Sequence, residues 1–381
     1  MKRTIKRAVV IFFSMVFVSG AFGMGMAAEF TVGKAADLAD FNAKVEAQLA
    51  KYTADQVDNI PYAGPKAVEG KKKIVDIAAS LNTDVIRRMV EGVGEACAVM
   101  GWEHIVIDTQ WDPNKMAEAV EKAIAMKADA VLFQVIDASW IIEPLRKLKK
   151  LGIPTGGLAN LDVEEDLYAF EAVKDGVFDE EGYAMAMYNY ARFNDNLKTI
   201  MMTHPELGVC LTREMAYKRF VKECKDVGGN CTILDDQPVR LADLGPKMEQ
   251  ITISVARRSP GFNSVFGCAD TPLQFAGGGL RNAGMLNPKT MSAVGVDADP
   301  YAIDAIRKDN GLNKATLAFA IRNCSWSEVD DLNRIFAGEK PLGGNGRGLS
   351  FKLITKENVP SEGNWEGDYD ATVGYRKTWG K

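Results

Sequence analysis

A repeated alternation of short apolar runs with amphipathic stretches, beginning at Lys73, most narrows what this 381-residue chain can fold into. KIVDIAA is apolar, TDVIRRMVEGVGEACAVMG is amphipathic and ends on Gly101, and WEHIVID is apolar again. DPNKMAEAVEKAIAMK opens with Asp112 as a helix N-cap and Pro113 at the first helical position; DAVLFQV, SWIIEPLRKLKKLG and IPTGGLA continue the series. Apolar runs of strand length separated by helices of this length are βαβ units, whose parallel strands must be covered on both faces.

The alternation then starts afresh. Strand-like runs recur at TIMMT to LGVCL, CTILD, SVFGCAD, MSAVGVD and ATLAFAI. Helical stretches lie between them: EEGYAMAMYNYARF, REMAYKRFVKECKDVGG, LGPKMEQITISVARR, PLQFAGGGLRNAG and DPYAIDAIRKDN. The predicted fold class is α/β, with two doubly wound parallel-sheet lobes of similar size. In such sheets ligands bind beyond the carboxyl ends of the strands, so the residues just after each apolar run are the site candidates.

Ahead of this body, Lys2, Arg3, Lys6 and Arg7 precede the apolar run AVVIFFSMVFVSGAFGMGMAA, with small residues at Ala27 and Ala28. This pattern predicts a signal peptide over residues 1–28. The alternative, a membrane anchor, is opposed by the glycines Gly20, Gly23 and Gly25, which leave the apolar core short of the roughly 20 residues a span needs. Without the leader's basic residues, 42 Lys and Arg face 51 Asp and Glu, so the expected mature protein is acidic, soluble and exported. Residues 29–70 form a helical extension and connector: Leu38, Phe41, Val45 and Leu49 recur at helical spacing before NIPYAGPKAVEGKKK. Two roles stand open for it, bracing a lobe or touching a partner.

Composition removes several function classes. Only His104 and His204 are present, which leaves too little histidine for a His-built metal site or a His-based triad. The acidic balance carries no nucleic-acid footprint. No C-x-x-C, GxSxG, GxGxxG or GxxxxGK[ST] spacing occurs, so no catalytic residues, metal or cofactor are expected. Gly277–Gly279 reads as close helix packing, and GGNGRG at Gly343–Gly348 as a flexible loop before a terminal strand LSFKLI. Export places Cys97, Cys210, Cys224, Cys231, Cys268 and Cys324 in an oxidising compartment. Cys224 and Cys231, which bracket a helix stop, are the expected pair, and Cys268 reads as a small buried hydrophobe.

From KKKIVDIAASLNTDVIRRMV through DAVLFQVIDASWIIEPLRKLKKLGIPT, and again in SVFGCADTPLQFAGGGLRNAGM, MSAVGVDADPYAIDAI and ATLAFAI, the chain resembles type I periplasmic binding proteins of the ribose- and galactose-binding kind. The resemblance covers about Lys71 to Val359. It implies two lobes joined by a three-segment hinge, with a small-molecule ligand clamped between them by hinge closure. It assigns residues 71–172 and 295–320 to the first lobe, and 173–294 and 321–381 to the second. The implied partner is the permease of an ABC importer in the inner membrane; a chemoreceptor or sensor kinase is the alternative.

Carried over position by position, the resemblance places Asn82 after the first strand, where sugar binders carry aromatic residues. Trp111 stands where they have an amide, and Ala159-Asn160 where they have an Asp-Arg pair. Arg213 matches an arginine that opens a second-lobe helix. Ala269-Asp270 replaces an Asn-Asp, Asp297 matches the aspartate of a Gly-Phe-Asp motif, and Phe319 replaces a hinge glutamine. Asp137 and Trp140, at another strand end, complete the candidate set. Four expected polar positions are thus Trp111, Ala159, Ala269 and Phe319. An unpaired buried polar group costs roughly 1–3 kcal/mol. The expected ligand is therefore sugar-like or, in the favoured reading, less hydroxylated, with an aromatic or apolar face. Ordinary structural readings stand beside each residue: packing against the interlobe linkers for Trp111 and Trp140, a surface pair for Arg213, helix caps for Asp270 and Asp297, and core for Phe319.

Overall fold

The computed structural model describes residues 29–161, 167–194 and 196–381; the expected signal peptide at 1–28 lies outside the described residues. The extension forms helix α1 (Leu38–Thr53). The first lobe follows as β1 (Lys73–Ala78), α2 (Asp84–Met100), β2 (Glu103–Asp108), α3 (Pro113–Ala125), β3 (Ala130–Gln134), α4 (Ile142–Leu151), β4 (Thr155–Leu158) and β5 (Phe170–Glu171). These five strands are parallel in the order β2-β1-β3-β4-β5. Local chemistry sets the element ends as expected. The Asp112 side chain accepts from Asn114 N ahead of Pro113, and Gly101 closes α2 at φ 75°, in the left-handed region.

The second lobe runs α5 (Val177–Arg192), β6 (Asn196–Thr203), α6 (Gly208–Asp226), β7 (Asn230–Pro238), α7 (Pro246–Arg258), β8 (Ser264–Gly267), α8 (Asp270–Asn282), β9 (Ala293–Val296), α9 (Pro300–Lys308) and β10 (Asn313–Ala318). After α10 (Ile321–Phe336) and α11 (Gly343–Arg347), β11 (Lys352–Thr355) pairs antiparallel on β10, and α12 (Ala371–Trp379) ends the chain. A parallel bridge between Ser264 and Ser292 joins the β7-β6-β8 strands to β9-β10-β11, making one layer.

This pairing corrects the lobe boundaries expected from the sequence. Residues 295–320 belong to the second lobe, because β9 and β10 extend its sheet. The α10 helix belongs to the first, because it packs along α2 and β4. Trp326, Val329 and Leu332 on α10 are fully buried there. The chain therefore crosses between lobes at residues 172–176, 319–320 and 348–351, the three hinge segments. The run LGVCL is not a strand: it opens α6, with Val209 and Cys210 inward and Leu211 outward at helical period. GGNGRG is not a loop either. Asp331 accepts from Leu342 N and Gly343 N and pairs with Arg347, and so holds the segment as α11. The GGG of α8 behaves as expected, since a Cβ on Gly279 would lie 2.7 Å from Glu249 O on α7.

Both chain ends add crossings of their own. On the second lobe, Phe41 of α1 packs edge-on to Tyr190 and beside Phe220, and Tyr52 Oη donates to Glu180 Oε1 at 2.7 Å. The connector then passes to the first lobe, where Val68 N donates to Asn333 Oδ1 and Arg334 Nη2 to Ala63 O. There α12 stacks Trp379 on Trp326 and donates its indole N–H to Asp330. The extension thus braces both lobes.

Two disulfides form, Cys224–Cys231 as expected and Cys210–Cys268. The second corrects the reading of Cys268 as a simple hydrophobe: the end of β8 lies against the first turn of α6, which brings Cys210 beside it. Cys97 and Cys324 are buried thiols. Peptide mapping without reduction should recover these two linked pairs, with Cys97 and Cys324 alkylated only after denaturation; any linkage involving Cys97 or Cys324 would contradict the packing.

Helices α5 and α6 meet through Gly182, where an added Cβ would lie 2.0 Å from Arg213 O. Gly182→Ala should therefore destabilise by about 1–3 kcal/mol, seen as a lower urea midpoint at unchanged slope.

Candidate functional site

The carboxyl ends of the strands in both sheets face one another across a cleft, and the two lobes touch there. Gly208 N, after β6, donates to Asp137 Oδ2, after β3, at 2.6 Å. Trp140 Nε1 donates to Glu206 O at 3.2 Å. Arg88, in the first turns of α2, donates through Nη1 to Asp297 O at 3.0 Å and Ala298 O at 3.3 Å beyond β9.

Backbone strain marks the same edge. Nine described non-glycine residues have positive φ, and six of them directly follow strands: Gln110, Trp111, Val135, Ala159, Asp297 and Ala298. For β-branched Val135, at φ 61°, this region is strongly disfavoured. Such conformations cost about 1–3 kcal/mol each and persist at binding and switch sites.

Unpartnered buried atoms gather there as well. Asp84 Oδ2, Arg88 Nε and Nη2, Asp137 Oδ1, Glu181 Oε1, His204 Nε2 and Asp299 Oδ1 lack hydrogen-bond partners among the described residues. Buried polar groups are nearly always hydrogen-bonded, so these atoms call for partners from solute or solvent. Asp84, Arg88, Glu181 and Asp299 form one electrostatic cluster with Arg213 and Asp297. Burial raises the Asp297 carboxyl above its ordinary range, while Arg213 and Arg88 oppose the shift. Burial, with the charge of Asp297 beside it, pushes Asp299 up to about 7. Burial likewise pushes Glu181 up to about 7 against the pull of Arg213. The cleft therefore offers carboxylate acceptors and guanidinium donors at close quarters. Among the described residues no group of three His, Cys, Asp or Glu is placed to hold a metal.

The expected site residues divide. Arg213 donates through Nε to Glu181 at 2.6 Å and through Nη1 to Cys268 O, and lies over the Phe178 ring. Asp297 follows β9 at φ 101°, where the charges of Arg213 and Arg88 act on it. Trp111 is half-buried at the end of β2, and Asn82 sits exposed on the lip. Three others have their side chains engaged inside the fold. Asp270 is fully buried and accepts from Asn313, Thr316 and Asp299 N, which ties α8 to β9 and β10. Asn160 has its side chain engaged with Ile136 N and Phe133 O, pinning the ends of β3 and β4. Phe319 packs edge-on to Phe351 inside the hinge. Asp137 and Trp140 reach across to the opposite lobe. Sequence reasoning missed Asp84, Arg88, Glu181 and Asp299. The strand-end rule reaches Asp84, Arg88 and Asp299; Glu181 lies inside a helix pattern and carried no signal.

His204 also belongs to this edge. It is fully buried, its Nδ1 donates to Val239 O at 2.6 Å, and burial lowers its pKa against the pull of that carbonyl. A folded pKa below the unfolded value favours the neutral ring, so this contribution holds above the unfolded pKa and is lost as pH falls through it. From about pH 7 to about pH 5, wild type should lose stability relative to His204→Asn, by at most about 1.4 kcal/mol per pH unit. Parallel pH profiles in urea titrations would exclude His204 as the titrating group.

Residues 75–340 match the model of the periplasmic binding protein domain. The chain belongs to the periplasmic binding protein family. Solved structures agree on the fold. The periplasmic binding component of the arabinose ABC transporter from a Shewanella strain, bound to L-arabinofuranose, superposes with TM-score 0.66 at 17% identity, over 81% of this chain and 95% of that one. The 5-methylthioribose transporter solute-binding protein from Thermotoga lettingae gives 0.66 at 14%, over 81% and 94%. An ABC transporter solute-binding protein from Agrobacterium vitis with bound allitol gives 0.65 at 15%, over 76% and 97%. No curated protein matches the chain by sequence. The α/β two-lobe architecture expected from the sequence is that of this family.

Proposed function

We propose that this periplasmic binding protein is the exported solute-binding component of an ABC importer, closing its lobes on a small neutral solute and presenting the closed form to a permease. The carrying observation is the cluster of Asp84, Arg88, Arg213, Asp297 and Asp299, contributed by both lobes, in which Asp84, Arg88 and Asp299 keep atoms without a hydrogen-bond partner among the described residues. Only the closed form brings these groups together, so a solute that pairs with them shifts the population to that form. The leader at residues 1–28 supports a periplasmic location.

The solute carries two kinds of surface in this reading. Carboxylates and arginines suit a few hydroxyls or amines. Trp111, and the absence of polar side chains at Ala159 and Ala269, suit an apolar face or substituent. The ligands named for the structural neighbours, arabinofuranose, allitol and 5-methylthioribose, span that range, and the thioether-bearing sugar has the combination favoured here.

Mass spectrometry of the denatured, freshly purified protein should release such a solute. Asp297→Ala and Arg88→Ala should each weaken its binding at least about tenfold, the loss of one charge-assisted hydrogen bond, in calorimetric titration. Unchanged affinity in both variants would move the site elsewhere. Tight binding of ribose, glucose or galactose, with no response to apolar-substituted analogues, would remove the apolar half of the assignment.

A further inference from the structure

The N-terminus of α6 opens onto the cleft without a side-chain cap of its own, since Leu207 occupies the N-cap. A helix N-terminus carries unpaired N–H groups and a partial positive charge, and so attracts anions. Here the anion comes from the protein. Asp137, 4% exposed and on the opposite lobe, places Oδ2 2.6 Å from Gly208 N. The fit depends on glycine, because a Cβ on Gly208 would lie 2.9 Å from Asp137 Oδ2 and 2.7 Å from the Leu161 side chain. The other Asp137 oxygen is buried with no hydrogen-bond partner among the described residues, and Trp140 donates to Glu206 O in the same α6 entry loop.

Resting on the transport reading, we infer that Asp137 is a built-in anion that caps α6 across the cleft, adds to the stability of the closed form, and makes the site reject negatively charged solutes such as sugar acids and sugar phosphates. An incoming anion finds the α6 terminus occupied by Asp137, and the cleft carries the further carboxyls Asp297 and Asp299. Neutral solutes face no such opposition. Asp137 thus positions the lobes and sets specificity by exclusion, without itself requiring contact with the solute.

Chemical rescue tests this without knowledge of the solute. Spin labels at Glu118 on α3 and Lys222 on α6, both exposed, report the interlobe distance by pulsed electron resonance in solute-free protein. Wild type should give, beside the open form's long distance, a short-distance population that formate does not change. Asp137→Ala should lose that short-distance population, and formate, entering as the missing carboxylate, should restore it. Asp137→Asn, which keeps the shape and one acceptor but not the charge, should open partly and ignore formate; it also serves should the alanine variant fold poorly. Inorganic sulfate should raise the melting temperature of Asp137→Ala and not that of wild type. A closed Asp137→Ala, an open one that formate cannot close, or saturable sulfate binding by wild type would each overturn the inference. A negative result here leaves the transport reading standing, and a solute of another neutral class leaves the latch standing.

Discussion

A parallel sheet covered by helices on both faces forces every strand of a lobe to end at the same edge, and the rest of this structure depends on that constraint. Each strand must be followed by a turn and then by a helix start, so unpaired N–H groups, turn backbones and short polar side chains all collect at the carboxyl edge. Setting two such edges face to face concentrates in one cleft what elsewhere is scattered. The positive-φ residues after β2, β3, β4 and β9, the α6 terminus and the Asp84–Arg88–Asp297–Asp299 cluster are all products of that geometry.

The cleft is costly to the fold. Strained backbone and desolvated carboxylates both oppose folding, and isolated buried charges are tolerated only when paired or hydrogen-bonded. The compensation lies in the two cores and in the hinge. Arg347 is fully buried between Asp330 and Asp331, Trp379 stacks on Trp326, and the connector after α1 is pinned through Asn333 and Arg334. These contacts join both chain ends to the first lobe while α1 grips the second, so five chain crossings link the lobes where the hinge alone needs three. Stability accumulates behind the hinge.

What was legible in the sequence followed from local rules. The strand–helix rhythm predicted two α/β lobes. Asp112-Pro113 predicted the start of α3, and the spacing of Cys224 and Cys231 predicted their bond. The failures share one cause: each required knowledge of which distant segment would arrive alongside. Residues 295–320 read as first-lobe material until the Ser264–Ser292 bridge tied β9 to the second sheet. Asp270 and Asn160 have the right residue type after a strand, yet tertiary neighbours claim their side chains from within. GGNGRG has a single good helix former, Arg347, among glycines, and Asp331 holds it helical.

The sequence by itself determined the fold class, the family resemblance and the edge that carries the candidate site, because alternation, caps and strand ends are properties of neighbouring residues. Only the tertiary structure decided which side chains at that edge remain free. Whether Asp137, Asp297 or Asp270 has a spare oxygen depends on donors from other strands and from the opposite lobe. Hydrogen-bond satisfaction is set by what lies within about 3 Å in space, which chain order does not encode.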